Sequence, residues 1–397
     1  MLLSVSLILL AGTFAGFVSK KIHFPPLFGM ILAGIVLGPC VLDLLDDSIL
    51  SISIQLRKIA LIVILLRAGL KLNIQDLKKN GRSALLMCFL PATLEILGMI
   101  IVAPQILGIS TLDAAIMGAV VAAVSPAVVV PRMIKLIDEK RGTDKGIPQM
   151  ILAGASVDDV FVIVMFATFT SLAKGEGISI WKIAGVPISI ITGIGLGFAI
   201  GVLLSQFWKK IHVRDTSKVI FLICASLLMV VAEDRLPAMI PFASLIGVMT
   251  SGLAIKMKDD TVSARLSSKL DRLWVPSEIF LFVLVGASVE INSAASAGIK
   301  VIALLASVIV FRMAGVVLCM AGTKLSFKER LFCAIAYTPK ATVQAAIGGL
   351  PLAMGFDCGT IVLTVSVLAI LTTAPLGAFA MDLSYRKLLN KEESHGY

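Results

Sequence analysis

Two stretches of sequence decide the fold: AAIMGAVVAAVSPAVVVPRMIKL at residues 114–136 and LFCAIAYTPKATVQAAIGGLPLAM at residues 331–354. They resemble each other when Ser125-Pro126 is matched with Thr338-Pro339, which lies 213 residues further along the chain. Both stretches are mostly apolar, yet each carries a hydroxyl residue followed by proline. The sequence therefore predicts an internal repeat with an interrupted helix in each copy.

Apolar stretches long enough to cross a bilayer, which takes about 20 residues, recur along the whole chain. Hydrophobic residues make up 58% of the 397 positions and charged residues only 15%, a composition that excludes a soluble domain and a disordered chain. Matching elements of the repeat lie seven spans apart, so its two six-helix copies are predicted to run in opposite directions. The thirteen predicted spans are residues 2–18, 26–42, 52–70, 83–107, 112–131, 147–173, 181–207, 219–232, 238–255, 273–289, 301–321, 331–351 and 358–381.

The formal charge of +10 is explained by orientation in a membrane, and no nucleic-acid partner is expected. Of the 35 lysines and arginines, 26 lie in the odd-numbered loops and the tail, whereas 4 lie in the even-numbered loops. Because cytoplasmic loops carry an excess of positive charge, this split predicts an external N-terminus and a cytoplasmic C-terminus. A multi-pass protein of the plasma (inner) membrane is expected.

Prolines interrupt both copies of the repeat. Proline removes a backbone N–H and clashes with the preceding helical turn, so Pro126, Pro131 and Pro339 are predicted to mark helix breaks. A break in lipid is tolerated only where protein or a water-filled cavity satisfies the freed backbone groups. Inverted repeats with discontinuous helices are typical of secondary transporters, which bind their cargo near the midplane where the repeats meet. For either helix taken alone, a simple proline kink without a site is the alternative.

Two adjacent carboxylates lie inside a predicted span, Asp158 and Asp159 in AGASVDDVFVIV. Charged residues at membrane depth are costly and usually functional. Two close carboxylates cannot both ionise cheaply without a cation, so a proton and a metal ion compete for them. Carboxylates are hard oxygen ligands that suit sodium when hydroxyl groups or broken-helix carbonyls complete the site. The candidate hydroxyl ligands in the sequence are Ser125, Ser156 and Thr338.

Among the further charged residues inside predicted spans, three bear on this site. Lys340 follows the break in the second repeat, so we expect it to pair with one of the two aspartates. The alternative is that this lysine neutralises the carbonyl groups of the break. Glu95 and Arg312 occupy nearly corresponding positions in the two repeats, 217 residues apart, and are expected to form a buried ion pair with a structural role.

Five motifs together resemble a known family. The motifs FPPLFGMILAGIVLGP (24–39), LLRAGLKL (65–72), VSPAVVVP (124–131), SVDDV (156–160) and TPKATVQAA (338–346) are similar to those of NHA-type sodium/proton exchangers in the second branch of the cation:proton antiporter superfamily. The resemblance implies an all-α fold of about 13 transmembrane helices, with inverted six-helix repeats and two crossed discontinuous helices. It also implies a homodimer.

In the same family, each protomer has two domains, and the resemblance implies the same division for this chain. The dimerisation domain would comprise residues 1–82 and 181–300, the transport domain residues 83–173 and 301–381, and the cytoplasmic tail residues 382–397. The resemblance further implies that Asp159 is the principal carrier of cation and proton, that Asp158 pairs with Lys340, and that Glu95 and Arg312 form an intramembrane salt bridge.

The function expected from these features is antiport of sodium or lithium against protons by alternating access, within a lipid bilayer and without a cofactor. Two transport alternatives stay open: a potassium/proton antiporter and a sodium-coupled organic-anion symporter of similar fold. An intramembrane aspartyl protease would need aspartates on facing helices. Here they are neighbours on one helix, and no GxGD sequence occurs, so an enzyme is not expected.

Overall fold

The computed structural model describes residues 1–22, 24–72, 81–174, 180–211, 213–235, 242–289 and 291–391. Within these ranges the fold is helical, and the one β pairing is an isolated antiparallel bridge between Arg141 and Lys391. The helices of the described residues are α1 (Leu2–Lys21), α2 (Pro26–Leu37), α3 (Asp47–Ser51), α4 (Ser53–Lys71), α5 (Gly81–Met87), α6 (Leu90–Leu107), α7 (Thr111–Val121), α8 (Pro126–Asp138), α9 (Ile147–Ala173), α10 (Ile180–Lys210), α11 (Asp215–Arg235), α12 (Ser244–Lys258), α13 (Asp260–Ala287), α14 (Ile291–Cys319), α15 (Phe327–Ala336), α16 (Thr342–Ile347), α17 (Leu350–Ala353) and α18 (Gly359–Leu388).

The all-helical prediction is confirmed, and each predicted span contains described helical residues. Among the described residues, eight helical stretches are long and apolar enough to cross a membrane by length and composition. The total of thirteen crossings stays a prediction. The last helix, α18, continues to Leu388, beyond the predicted end of its span at residue 381.

Both repeat copies contain an interrupted helix, as the prolines predict. The first break separates α7 from α8 at residues 122–125, and Pro126 is the first residue of the new helix, where its missing N–H costs no hydrogen bond. The second break separates α15 from α16 and contains Pro339. The prediction for Pro131 is wrong, because this proline lies inside α8, which continues past it to Asp138. One lost intrahelical hydrogen bond does not end that helix.

Serine caps start the first half of each broken helix. The Ser110 hydroxyl accepts a hydrogen bond from the backbone N–H of Asp113 (3.1 Å) at the start of α7. Ser326 and Glu329 form a reciprocal capping box at the start of α15, which satisfies two backbone donors that would otherwise lack partners. The second cap has an additional partner, because Lys145 donates to both Glu329 carboxylate oxygens at 2.8 and 2.9 Å.

The chain forms two compact units. Unit 1 comprises Met1–Ile54, Asn73–Phe169 and Phe282–Tyr397, and unit 2 comprises Gln55–Leu72 and Thr170–Leu281. Both broken helices and all charged residues singled out at membrane depth belong to unit 1. The division into dimerisation and transport domains concerns assembly and movement, and it stays a prediction.

Arg67 holds two helices of unit 2 together. Its Nε donates to Asp271 Oδ1 at 2.7 Å, and Lys71 Nζ donates to the same oxygen at 2.8 Å. The guanidinium also lies over the ring of Trp274, 5.3 Å from its centroid, an arrangement in which the π face attracts the cation. These contacts join α4 to α13.

Glycines allow close helix contacts within each unit. In unit 2, α10 approaches α12 so closely that a Cβ atom on Gly193, Gly197 or Gly201 would collide with backbone oxygens of α12 or the residue before it. In unit 1, Gly34 of α2 lies directly against the carbonyl oxygen of Val283. Small residues spaced by four positions permit such contacts between helix backbones.

Replacing Gly197 with alanine is expected to lower the thermal stability of the protein. The new Cβ would collide with the carbonyl oxygen of Gly247 and the hydroxyl of Thr250, whereas a Cβ on Gly195 in the same helix meets no atom within 4 Å. The control variant Gly195→Ala should match the wild type or gain about 0.5–1 kcal/mol from the better helix former. Thermal unfolding of the purified variants in detergent compares them, and equal melting temperatures would contradict the packing argument.

Candidate ion-binding site

The predicted site residues come from four parts of unit 1. Asp158 and Asp159 lie near the middle of α9, Glu95 lies in α6, and Arg312 lies in α14. Lys340 lies in the break between α15 and α16. The two breaks meet, because the backbone N–H of Ser125 donates to the carbonyl oxygen of Pro339 at 2.8 Å.

Arg312 occupies the point where the broken helices end. Its Nε donates to the carbonyl of Tyr337, which follows α15, and its Nη1 donates to the carbonyl of Ala122, which follows α7. Carbonyl groups at a helix C-terminus lack intrahelical donors and carry partial negative charge. One guanidinium therefore caps the C-terminal ends of both half-helices.

The same guanidinium holds two carboxylates. Arg312 Nη1 donates to Glu95 Oε2 and Nη2 donates to Asp158 Oδ2, both at 2.8 Å, with all three side chains fully buried. Asp158 Oδ2 also accepts the backbone N–H of Val124 at 2.9 Å. The structure thus brings Glu95 and Arg312 into direct contact, and Arg312 also binds Asp158.

The expected pairing of Lys340 with an aspartate is wrong. Its Nζ lies 2.5 Å from Glu95 Oε2, and its backbone N–H donates to the Thr373 hydroxyl at 2.9 Å. Asp158 instead binds Arg312, whose planar donors reach two acids and two carbonyls at once. The alternative role of Lys340, neutralising the carbonyls of the break, is filled by Arg312.

Asp159 differs from its neighbour. It is 6% exposed, and its Oδ1 is buried without a hydrogen-bond partner. No basic side chain among the described residues forms an ion pair with it. The four fully buried charges of Glu95, Asp158, Arg312 and Lys340 balance one another, so the charge of Asp159 is left without a resident counter-charge in the described part of the chain.

The predicted hydroxyl ligands have different environments. Ser125 precedes α8 but does not cap it, and its buried Oγ has no hydrogen-bond partner. The Thr338 hydroxyl donates to the carbonyl of Ile335 at 2.9 Å. The side chain of Ser156 lies outside the described part of the structure. Within that part, no hydrogen bond joins Asp159 to Ser125 or Thr338.

Two polar residues of the second broken helix, Thr342 and Gln344, are absent from the predicted set of site residues. Gln344 Nε2 donates to the carbonyls of Val121 and Ala123 at 2.9 and 3.0 Å. The hydroxyl of Thr342 is buried without a hydrogen-bond partner. Both residues stand in the quoted motif TPKATVQAA, so a search for uncharged polar residues inside apolar spans would have found them.

The ion-pair network predicts that replacing two different acids by their amides has unequal effects on stability. Glu95→Gln removes the carboxylate that binds both Arg312 and Lys340, and breaking such a buried pair typically costs about 3–5 kcal/mol. Asp159→Asn breaks no ion pair and removes the cost of burying an uncompensated charge. Thermal unfolding in sodium-free detergent should therefore show a large loss for Glu95→Gln and none for Asp159→Asn. A similar loss in both variants would contradict this charge assignment.

Known proteins resemble this chain in sequence and in fold. Residues 5–381 match the family described as sodium/hydrogen exchanger, transmembrane. Sodium/hydrogen exchanger 9B2 of Xenopus tropicalis is 33% identical over 384 residues, covering 93% of this chain and 70% of the relative. Sodium/hydrogen exchanger 9B1 of Homo sapiens is 34% identical over 383 residues, covering 92% of this chain and 73% of the relative.

A solved structure has the same fold. The sodium proton antiporter MjNhaP1 from Methanocaldococcus jannaschii at pH 8 matches with a TM-score of 0.85, at 20% sequence identity and with 97% of each chain covered. This likeness concerns the fold, whereas the family match extends over almost the whole sequence and confirms the resemblance seen in the motifs. The chain belongs to the sodium/hydrogen exchanger family, whose members are multi-pass membrane transporters rather than enzymes.

Proposed function

We propose that this protein exchanges sodium or lithium for protons and that the two compete for Asp159. The observation that carries the proposal is the unbalanced charge of Asp159, beside a network of four buried charges that compensate one another. An uncompensated carboxylate at membrane depth is costly. A bound cation or a bound proton neutralises this carboxylate. Either ion can therefore occupy the site, but the two cannot occupy it together.

Alternating access follows from the same charge argument. When Asp159 is protonated or holds sodium, the site is neutral and can move from one face of the membrane to the other. When Asp159 is empty and ionised, moving it through the low-dielectric interior is unfavourable. The empty site therefore stays where it is, which couples the inward movement of one ion to the outward movement of the other.

Side-chain oxygens near the breaks supply the remaining ligands in this proposal. Asp158 Oδ1 and Ser125 Oγ are buried and have no hydrogen-bond partner among the residues that the structure describes. Together with Asp159 and water they offer the hard oxygen ligands that an alkali cation prefers. Thr338 and Ser156 remain candidate ligands.

Orientation and assembly complete the proposal. The distribution of loop charges supports an external N-terminus and a cytoplasmic C-terminus in a plasma membrane. We also propose a homodimer, in which a transport domain moves against a dimerisation domain. Labelling of cysteines introduced into individual loops with an impermeant thiol reagent tests the orientation, and cross-linking within the membrane tests the dimer.

Asp159→Asn should abolish exchange. Neutral asparagine cannot release a proton when sodium binds, so the competition that drives the exchange is lost. The measurement is proton flux in proteoliposomes with an internal pH dye, after addition of sodium, lithium or potassium in turn. The control is Asp382→Asn, which changes an exposed carboxylate paired with Arg132 and should leave the flux intact. Sodium-dependent flux in Asp159→Asn would refute the assignment, and flux with potassium alone in the wild type would indicate a potassium exchanger.

The pairing of the buried charges also predicts how the sodium-driven flux responds to the membrane potential. Because Lys340 pairs with Glu95 and not with an aspartate, we expect it to keep its proton whether Asp159 binds sodium or a proton. One sodium ion then exchanges for one proton, and an imposed membrane potential should leave the sodium-driven flux unchanged. Flux that rises or falls steeply with the potential would show that a second proton moves, and its loss in Lys340→Met would identify the lysine as the source.

A further inference from the structure

The side chain of Gln344 joins the two broken helices at the crossing. It is 1% exposed, and both hydrogen bonds of its amide nitrogen reach the first break, at the carbonyls of Val121 (2.9 Å) and Ala123 (3.0 Å). An amide group has two N–H donors, so this geometry uses its full donor capacity. Gln344 itself belongs to α16 of the other repeat.

Three successive carbonyls at the C-terminal end of α7 have donors. Gln344 binds those of Val121 and Ala123, and Arg312 binds that of Ala122 between them. A carbonyl oxygen keeps a second lone pair after accepting one hydrogen bond. However, the partial positive charge of the amide donor and the full charge of the guanidinium lie beside these oxygens and repel an approaching cation. Carbonyls of broken helices are the usual cation ligands at such a crossing, and these three are therefore poor ligands here.

The oxygens that remain to bind a cation belong to side chains and not to the backbone. Asp158 Oδ1, Asp159 Oδ1 and Ser125 Oγ are buried and, within the described residues, have no hydrogen-bond partner, and the same holds for Glu95 Oε1, Thr342 Oγ1 and the amide oxygen of Gln344. The carboxylate oxygens in this set carry negative charge. Coulomb attraction varies inversely with distance, so charged oxygens gain more from a small cation that approaches closely, whereas rings of neutral carbonyl dipoles accommodate potassium.

We propose that Gln344 is a specificity-determining residue, which withholds the Val121 and Ala123 carbonyls from the transported cation and so favours lithium and sodium over potassium. The inference rests on the proposed exchange at Asp159 and adds to it the class of cation selected. Gln344 acts here through the carbonyls that it binds, and it does not need to touch the ion.

The test is the ratio of apparent KM values for potassium and sodium in Gln344→Met. Methionine has a similar length but no donor, so it frees two carbonyls without adding charge. Proton flux in proteoliposomes should show this ratio falling by about three- to tenfold, the range expected for one or two hydrogen bonds of ordinary net strength, with lithium becoming a poorer substrate relative to sodium. The matched control is Gln149→Met in α9, because Gln149 forms no hydrogen bond with residues 121–125 in the described structure and its substitution should not alter the ratio.

Gln344→Asn provides a second variant if the methionine variant does not fold. It keeps the amide but shortens its reach, so the ratio should move in the same direction, and sodium- and potassium-dependent thermal stabilisation can replace flux as the readout. Unchanged ratios in a folded variant would overturn the inference. An equal rise in KM for all three cations would also overturn it, since Gln344 would then be a direct ligand. Absence of exchange in the wild type would instead refute the proposed function.

Discussion

The hydrogen bonds donated by one buried arginine underlie the rest of this structure. In a membrane, the C-terminal carbonyls of a broken helix cannot turn to water, and each unsatisfied group is costly. Arg312 satisfies the ends of α7 and α15 together and holds two carboxylates with its remaining donors. Such a charge is itself acceptable only when it is paired and hydrogen-bonded. The breaks, the acids and the arginine therefore require one another, and none of them would be stable alone at this depth.

The chemistry of the site follows from this mutual compensation. Lys340 and Arg312 together offset Glu95 and Asp158, so these four residues form a neutral scaffold. Asp159 is the next residue along the same helix as Asp158, but successive residues on a helix point about 100° apart. It is therefore held close to the scaffold without joining it. A helix that places two acids side by side can assign one to structure and leave the other to bind a mobile ion.

Periodicity, proline and the internal repeat were sufficient to predict the two interrupted helices and the acids beside them. They could not predict which basic side chain pairs with which acid. Glu95 and Lys340 are separated by 245 positions, and their pairing depends on how far each side chain reaches. Pro131 was misjudged because a proline signals only a lost N–H, and the turns around it can hold a helix together. Gln344 was overlooked because an amide carries no charge, although its contacts are as specific as those of the ion pairs.

The caps of the broken helices also make the two halves of the repeat energetically different. Glu329 at the start of α15 binds Lys145, whereas Asp113 at the start of α7 binds the Ser110 hydroxyl and, among the described residues, forms no ion pair. Two identical inverted halves would give the inward-facing and outward-facing forms equal free energies and equal populations. In the proposed alternating-access cycle, a difference that stabilises one form more than the other shifts that equilibrium, by a factor of ten for about 1.4 kcal/mol. A resting preference for one face of the membrane can therefore arise from residues that never meet the transported ion.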